Sequence, residues 1–294
     1  MQSFLKYIFR FLICAKCLNR LPDKMYLKIF FDAYMEYKLN LRSPKTYNEK
    51  LQWLKLYDRK EIYSKLVDKY AVRKYIAEYV GEEYLVPLVG GPWKKVEEID
   101  FDSLPDRFVL KTTHDSGNVI VCTDKEKLDI IKVRKELKKK LKRKYFYYGR
   151  EWPYKNVKPQ IFAEKYIGED ETLPDDYKFY VFDGNIDSVM ICRERETGNT
   201  KYAFFDMNWE RLYYQYIEPE IEVRRPENLE ELINVVKKIS KDFLEVRIDL
   251  YNVNGKIYFG EITLFNQSGL DKDITYETDI MWGNKIQLPI EEVN

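Results

Sequence analysis

This sequence contains few cysteines and carries almost no net charge. Four cysteines occur in 294 residues, and Cys14 and Cys17 form a close pair without a second pair at zinc-finger spacing. The sequence therefore predicts no zinc site and no disulfide framework, but reduced thiols in a cytoplasmic protein. The formal net charge is +1, so whole-molecule electrostatics do not indicate nucleic acid as a partner.

A long apolar run is also absent. The apolar side chains of residues 4–13 are interrupted by Lys6 and Arg10, and the first acidic residue is Asp23. This segment is too short and charged to span a bilayer, and no small-residue cleavage site of a secretory signal follows it. Residues 1–30 are therefore predicted to pack on the domain, with a basic amphipathic helix on the inner face of the cell membrane as the alternative.

Basic residues are concentrated at residues 132–144, where Glu136 is the only acid. Leu137 and Leu141 stand four residues apart, which predicts a helix with a narrow apolar stripe. A solvated helix face is the simpler interpretation. A patch for an anionic polymer or for lipid head groups is the alternative.

Alternating apolar residues predict strands joined as hairpins. Runs of β-branched and aromatic residues bounded by turn residues predict strands within 107–122, 161–167, 177–192 and 246–263. Helical periodicity predicts helices within 4–40, 48–79, 132–144 and 226–243. Antiparallel hairpins separated by helices indicate an α+β fold rather than a doubly wound sheet.

The hairpin at residues 246–263 carries one carboxylate on each strand, where acids are normally avoided. Asp249 and Glu261 flank the turn signal Asn254-Gly255. Because side chains alternate faces along a strand, a two-residue loop would place the two acids on opposite faces. Two acids on one face are suited to hold Mg²⁺, so the loop length decides whether this hairpin is a metal site.

A three-residue loop with Gly255 in a left-handed bulge brings the two acids to one face. It pairs Arg247 with Glu261 and makes Asp249 and Glu261 diagonal neighbours, roughly 7–8 Å apart at the backbone. A cross-strand ion pair of Arg247 with Glu261, with Asp249 solvated, is the alternative interpretation. The metal hypothesis therefore requires the loop of residues 253–255, or a bulge that compensates for a shorter one.

Eight short motifs follow one another along residues 43–289. They are SPKTYNEKLQW (43–53), DKYAVR (68–73), FVLK (108–111), GREWPY (149–154), AEKY (163–166), DYKF (176–179), RIDL (247–250) and GEIT (260–263). No single motif is specific, but their order resembles the TupA-like ATP-grasp family of the ATP-grasp superfamily, which is associated with teichuronopeptide and capsular polysaccharide biosynthesis.

The resemblance implies a role for the lysines and for the loop after the second lysine. Lys69 and Lys111 correspond to the lysines that bind ATP phosphates, as compact charges on flexible stems. His114, Ser116 and Gly117 correspond to the loop that covers the triphosphate. As the only histidine, His114 has two interpretations, an acid–base group or a hydrogen-bonding loop residue, and the second is the commoner one.

The resemblance also implies a hinge and a metal site. Glu164, Lys165 and Tyr166 correspond to the hinge that holds adenine and ribose. Asp249 and Glu261 correspond to the carboxylates that hold Mg²⁺ on the ATP phosphates.

The family's third metal ligand, an Asn two residues after the Glu, is replaced here. Thr263 occupies that position, and Asn266 is a candidate substitute. The candidate catalytic residues are Lys111, His114, Ser116, Lys178 and Arg247.

The resemblance implies an ATP-grasp fold, in which two α+β lobes with antiparallel sheets grip ATP between them. Residues 1–42 are predicted to be an N-terminal helical extension, and residues 43–294 an ATP-grasp-like domain. Within that domain, the nucleotide-gripping lobe is predicted at about residues 60–165 and the metal-binding lobe at about residues 166–289.

The function implied by the resemblance is an ATP- and Mg²⁺-dependent carboxylate–amine ligase of surface polysaccharide biosynthesis, capsular or teichuronic in type, acting through an acylphosphate. Its partners would be an anionic saccharide or uronic-acid precursor and an amino acid or amine. The alternatives are a glycosyltransferase or phosphotransferase of the same pathway, and a non-catalytic assembly protein associated with the membrane.

Overall fold

The computed structural model describes residues 2–117 and 119–290, so residues 1, 118 and 291–294 of the predicted ranges lie outside the described residues. The α-helices are α1 (Gln2–Cys14), α2 (Asp23–Tyr34), α3 (Tyr47–Tyr57), α4 (Tyr63–Leu66), α5 (Val72–Tyr79), α6 (Ile130–Leu141), α7 (Phe146–Gly149), α8 (Leu229–Ser240) and α9 (Tyr276–Asn284). The β-strands are β1 (Leu88–Trp93), β2 (Phe108–Thr112), β3 (Ile120–Cys122), β4 (Ile161–Lys165), β5 (Asp176–Phe182), β6 (Asn185–Arg193), β7 (Lys201–Phe205), β8 (Arg211–Leu212), β9 (Glu245–Val253) and β10 (Lys256–Thr263).

The strands form two antiparallel sheets. The first has four strands in the order β1-β4-β2-β3, and the second has six in the order β10-β9-β5-β6-β7-β8. The α+β fold predicted from the hairpin pattern is therefore confirmed. The predicted boundaries at residue 42 and near residue 165 stay predictions.

Each sheet has its own apolar core. The six-stranded sheet packs with α2, α3, α8 and α9, and the fully buried Trp282 stacks on Tyr180 at its centre, 4.7 Å between ring centroids. The four-stranded sheet packs under the basic helix α6, which contributes Val133 and Leu137. The narrow apolar stripe predicted for α6 therefore faces a sheet.

The helical pattern predicted over residues 48–79 is divided into α3, α4 and α5. All four residues from Asp58 to Glu61 are charged, so this turn has no apolar side chain to bury and the helix ends. At the other end of α3, the Thr46 hydroxyl accepts the Glu49 N–H at 3.1 Å, and Glu49 reaches back to Thr46 in a capping box.

Helix α1 packs along α2 through its basic residues. Lys6 Nζ donates to the Met35 carbonyl at 2.8 Å, and Arg10 Nε donates to the Ala33 carbonyl at 2.8 Å, so both cations lie at the carboxyl end of α2. Among the described residues, no helix combines the length and apolar content needed to cross a bilayer.

The hairpin of β9 and β10 differs from the predicted three-residue loop. Lys256 pairs with Val253, so Asn254 and Gly255 alone form the turn, with φ angles of 51° and 80°. Two positive φ angles give a turn that matches the twist of the strands, which favours the shorter loop. The predicted three-residue loop is therefore wrong.

A bulge at Gly260 compensates for the shorter turn. The pairing shifts by one residue between Phe259 and Glu261, so that Glu261 pairs directly with Asp249 and Thr263 pairs with Arg247. The predicted pairing of Arg247 with Glu261 and the diagonal placement of the acids are both wrong. The bulge nevertheless brings the two acids to adjacent positions, as the metal hypothesis requires.

The bulge depends on glycine because the backbone of β9 approaches closely. A Cβ at Gly260 would lie 2.9 Å from the Asp249 carbonyl oxygen, which is backbone and has little freedom to move. We expect Gly260→Ala to lower the free energy of unfolding by about 1–3 kcal/mol through this overpacking, as measured by urea denaturation.

Gly198 provides the matched control. It lies in an exposed turn with φ 75°, and a Cβ there meets no atom within 4 Å. Gly198→Asn should cost less than about 1 kcal/mol, because Asn tolerates the left-handed conformation. Equal small losses in both variants would contradict a role for Gly260 in setting the register.

Candidate active site

One face of the six-stranded sheet carries a row of polar side chains. Arg247, Asp249 and Tyr251 lie two residues apart on β9 and therefore share a face. Lys178 on β5 is paired with Asp249, and Glu261 on β10 is paired with Asp249 from the other side. The register of three neighbouring strands thus assembles the cluster.

Asp249 is buried and accepts hydrogen bonds from two cations. Arg247 Nε bonds to its Oδ1 at 2.7 Å, and Lys178 Nζ bonds to its Oδ2 at 2.6 Å. Burial alone would raise the pKa of Asp249, but Arg247 and Lys178 outweigh it and hold the pKa well below its usual range. Asp249 is therefore a carboxylate at any physiological pH.

Lys178 is shared between two carboxylates. Its Nζ lies 2.6 Å from Asp176 Oδ2 as well as 2.6 Å from Asp249 Oδ2. Burial alone would lower the pKa of Lys178, but these two carboxylates raise it above its usual value. Lys178 is thus a permanent cation that fixes Asp249 and Asp176 in place.

A second cluster lies on the four-stranded sheet around Glu164. Lys111 Nζ lies 2.6 Å from Glu164 Oε2, and Arg73 donates to Glu164 Oε1 at 2.8 Å. Burial alone would lower the pKa of Lys111, but Glu164 raises it to about 12. The residue predicted to form the hinge therefore holds the predicted phosphate lysine in its charged form.

The other predicted phosphate lysine pairs with the predicted metal ligand. Lys69 Nζ lies 2.5 Å from Glu261 Oε1, and the Lys69 N–H donates to the Thr113 carbonyl at 3.1 Å. This second bond ties Lys69 to the loop that follows β2. Each of the two lysines is thus paired with a carboxylate.

The loop after β2 separates its three candidate residues. Ser116 lines the larger of two cavities at the site, and Gly117 adopts φ 84° with open space around it. His114 is buried near the last turn of α6, and burial lowers its pKa. His114 is therefore neutral near pH 7 and packs beneath the loop.

A small, mainly apolar cavity of about 70 Å³ lies between the two sheets. Lys111, Glu164, Lys165 and Tyr166 are among its lining residues, together with the aliphatic side chains of β2 and β3. Flat apolar walls with a few polar groups are typical of sites for an aromatic base. The predicted hinge residues therefore share one cavity with the second predicted phosphate lysine.

A larger cavity of about 520 Å³ lies beside the carboxylate pair. Arg247, Glu261, Thr263 and Asn266 line one side of it, and Ser116 lines another. The cavity is open to solvent and polar, as suits a hydrophilic substrate.

The donor set around Glu261 suits Mg²⁺ delivered with phosphates. No group of three or more His, Cys, Asp or Glu side chains in residues 2–117 and 119–290 forms a dedicated metal cage. Mg²⁺ usually binds one or two carboxylates together with substrate phosphates, which agrees with a partly exposed Glu261 beside the ionised Asp249. Metal binding by these two residues stays a prediction.

Both candidates for the third metal ligand, Thr263 and Asn266, accept hydrogen bonds from Arg247. Arg247 donates to Thr263 Oγ1 at 3.1 Å and also to Asn266 Oδ1, and Asn266 in turn donates to Asp271 at 2.9 Å. In this arrangement Thr263 and Asn266 position Arg247.

Sequence reasoning missed Arg73 and Glu151 as residues of the site. Arg73 bonds to Glu164, and Glu151 lines the larger cavity. Both stand in motifs that carry the family resemblance, DKYAVR and GREWPY. The sequence signal that could have identified them is that each is a charged residue without an assigned role inside one of these motifs.

The buried network around Lys178 yields a stability prediction. We expect Lys178→Met to lower the free energy of unfolding by about 3–5 kcal/mol, because it leaves buried carboxylates without their shared cation. Chemical denaturation in the absence of nucleotide measures this loss.

Lys201 is the matched control, a strand lysine whose ion pair with Glu194 is exposed to solvent. Lys201→Met should change stability by at most about 1 kcal/mol. A Lys178→Met protein as stable as the Lys201→Met protein would show that the network does not hold the sheet together.

Comparisons with solved structures return proteins of low sequence identity. A D-alanine–D-alanine ligase from Bacillus anthracis is 20% identical over 75% of this chain and 65% of that chain, with a TM-score of 0.43. An L-amino acid ligase from Bacillus licheniformis is 12% identical over 85% and 55%, with a TM-score of 0.45. An N5-carboxyaminoimidazole synthetase from Staphylococcus aureus, complexed with ADP, is 16% identical over 84% and 61%, with a TM-score of 0.45.

This chain spans about half to two thirds of the length of these structures. At such identities and TM-scores, no residue role is transferred from them. No curated protein matches the sequence.

A family model for TupA-like ATPgrasp proteins matches residues 49–287, which is most of the chain. The match includes Lys69 and Lys111, the predicted hinge residues Glu164 to Tyr166, and the hairpin with Asp249 and Glu261. The resemblance drawn from the order of the eight motifs is confirmed. The chain therefore belongs to the TupA-like ATPgrasp family.

Proposed function

We propose that this protein is a cytoplasmic, ATP- and Mg²⁺-dependent carboxylate–amine ligase that acts on a precursor of a surface polysaccharide. The observation that carries the proposal is a pair of lysine–carboxylate contacts at two cavities. Lys111 and Glu164 line the small apolar cavity, and Glu261, which is bound to Lys69 and paired with Asp249, lines the larger polar one. This arrangement offers separate places for a base, for phosphates and for a hydrophilic acceptor.

The nucleotide would lie across the two lysine–carboxylate pairs. The base would enter the small cavity beside Lys165 and Tyr166, and the phosphates would extend toward Lys111 and Lys69. Mg²⁺, bound with the nucleotide at Asp249 and Glu261, would supply charge neutralisation on the transferred phosphate. Arriving phosphates would take the lysine ammoniums that Glu164 and Glu261 hold in the free protein, so these two carboxylates keep the lysines in place until then.

The acceptor would occupy the larger cavity. Arg247 and Lys272 line it as cations, and Tyr145, Tyr148 and Tyr154 line it as aromatic rings. Cations suit a uronic-acid carboxylate, and aromatic rings suit the apolar faces of a sugar. The proposed partners are therefore an anionic saccharide and an amino acid or amine.

The proposed reaction has two transfers. The acceptor carboxylate attacks the γ-phosphorus and forms an acylphosphate, and an amine then displaces phosphate to give an amide. Lys69 and Lys111 neutralise the phosphate oxygens while the bond to the leaving oxygen breaks, which is the main demand of phosphoryl transfer on a protein. Ser116 and Gly117 would close over the phosphates through backbone N–H groups.

We expect the purified protein to release phosphate and form an amide when supplied with Mg-ATP, galacturonate and a panel of amines. Lys111→Met should lower kcat/KM about 100-fold or more, because it removes a cation that faces the transferred charge. Coupled phosphate detection and mass spectrometry of the product measure both quantities.

Lys127→Met is the control variant, since Lys127 is an exposed lysine paired with Asp124. It should leave turnover unchanged. ATP binding without turnover on any carboxylate–amine pair would contradict the ligase proposal. A thermal shift caused by a nucleotide sugar in place of ATP would instead favour the glycosyltransferase alternative.

We also propose that α1 holds the protein at the inner face of the cell membrane. Phe4, Tyr7 and Phe11 are 68%, 70% and 63% exposed on one side of the helix, whereas Lys6 and Arg10 face α2. Further basic residues, exposed in the same region, are Lys16, Arg20, Lys24 and Lys28. Aromatic side chains beside basic ones suit an anionic lipid surface.

The basic helix α6 is less suited to that role. Arg134 donates to the carbonyls of Val96 and Ile99, and Lys138 pairs with Glu97 at 2.6 Å. Part of its positive charge therefore serves packing against the four-stranded sheet.

We expect the double substitution Phe4→Ser with Phe11→Ser to weaken binding to phosphatidylglycerol vesicles at least about tenfold, because two apolar rings are lost from the interface. Vesicle co-sedimentation measures the partition. Tyr213→Ser is the control, since Tyr213 is an equally exposed aromatic residue, at 72%, outside this helix. Equal binding by the double variant and the wild type would contradict the proposal.

A further inference from the structure

Glu151 is a buried carboxylate that the proposed function leaves without a role. It is 5% exposed, yet it lines the larger cavity close to the carboxylate pair. Burial raises its pKa, with a further contribution from the charge of Glu261, while Lys55 and the Ser268 hydroxyl oppose the rise. The charged and titratable groups that line the cavity with it are Glu261 and Arg247 of the hairpin, Lys272, and the tyrosines Tyr34, Tyr145, Tyr148 and Tyr154.

Lys55 lies behind Glu151 and is completely buried. Its Nζ donates to the Gly149 carbonyl at 2.7 Å, to the Ser268 carbonyl at 2.8 Å and to Ser268 Oγ at 2.9 Å. Because Ser268 Oγ accepts from Lys55, its own proton is available to another acceptor, and the Ser268 hydroxyl is among the groups that lower the pKa of the Glu151 carboxyl. Ser268 therefore links the Lys55 ammonium with the surroundings of Glu151.

The backbone that carries Ser268 is strained. Gln267 and Ser268 have φ angles of 47° and 54°, an uncommon conformation for two successive residues that are not glycine. A Cβ at Gly149 would lie 1.9 Å from Ser268 Oγ, so glycine is required for the approach. Strain of this kind is typical of positions held for function.

We propose that Glu151 binds the ammonium group of the amine substrate and accepts its proton. The inference rests on the proposed ligase function and names the amine subsite within the same cavity. The ligand class is a primary ammonium, the form in which an amino acid or alkylamine exists near pH 7. Lys55 and Ser268 are positioning residues, and Glu151 is the catalytic residue.

The proton balance of the second transfer requires such a group. An ammonium cannot attack a carbonyl, so one proton passes to Glu151 and leaves a free electron pair on nitrogen. The new C–N bond forms, the C–O bond to phosphate breaks, and its electron pair leaves with the phosphate. The second proton on nitrogen passes to the departing phosphate, and Glu151 returns its proton to solvent after the amide leaves.

A comparison of two nucleophiles distinguishes proton acceptance by Glu151 from the other steps of the reaction. Glycinamide carries an ammonium group and needs a proton acceptor, whereas hydroxylamine is largely uncharged near pH 7 and traps an acylphosphate directly. With Mg-ATP and galacturonate, Glu151→Gln should lower kcat/KM for glycinamide about 100-fold or more. Hydroxamate formation with hydroxylamine should stay within about threefold of the wild type.

Direct binding provides a readout that does not depend on turnover. By ligand-detected NMR, the wild type should bind glycinamide and not the uncharged acetamide. Glu151→Gln should weaken glycinamide binding about tenfold, which is a loss of about 1.4 kcal/mol of binding free energy. Glu151→Asp, which keeps a carboxylate at this position, should retain binding and lose part of the turnover. Glu78→Gln, at an exposed helix position, is the control.

The outcomes are distinct. If Glu151→Gln lost activity with glycinamide and with hydroxylamine to the same extent, the proposed role of Glu151 would be overturned. Unchanged glycinamide binding in this variant would overturn it as well. If the wild type formed neither hydroxamate nor amide, the ligase proposal would fail, and the binding comparison would still decide whether Glu151 holds an ammonium group.

Discussion

The site depends on the pairing of Asp249 with Glu261 across β9 and β10. That pairing exists because a bulge at Gly260 corrects the register set by a two-residue turn at Asn254-Gly255. Without the bulge, Glu261 would face the opposite side of the sheet and leave Lys69 without its partner. One residue without a side chain thus determines whether the two acids and the two lysine clusters meet.

The charged side chains of the site are paired with one another. The predicted phosphate lysines are bound to Glu261 and Glu164, while Asp249 is held by Arg247 and Lys178. Buried charges are stable only in such pairs, so the two lysines depend on these carboxylates. Glu261 and Glu164 therefore position the two lysines.

Local signals in the sequence predicted the parts of the fold that depend on local chemistry. Helix α8 and the hairpin within residues 177–192 follow from periodicity and turn residues. The bulge at Gly260 was not predictable, because it depends on a close approach to the Asp249 carbonyl on another strand. Motif order named Lys69 and Lys111, but the partners of Arg73 and Lys55 lie on distant segments and required the tertiary structure.

We propose that Glu261 takes part in binding Mg²⁺ together with the nucleotide. Titration calorimetry with a non-hydrolysable ATP analogue, with and without Mg²⁺, tests it most directly in the wild type and in Glu261→Gln. We expect Mg²⁺ to strengthen nucleotide binding in the wild type and to have little effect in the variant. The same gain from Mg²⁺ in both proteins would contradict the account.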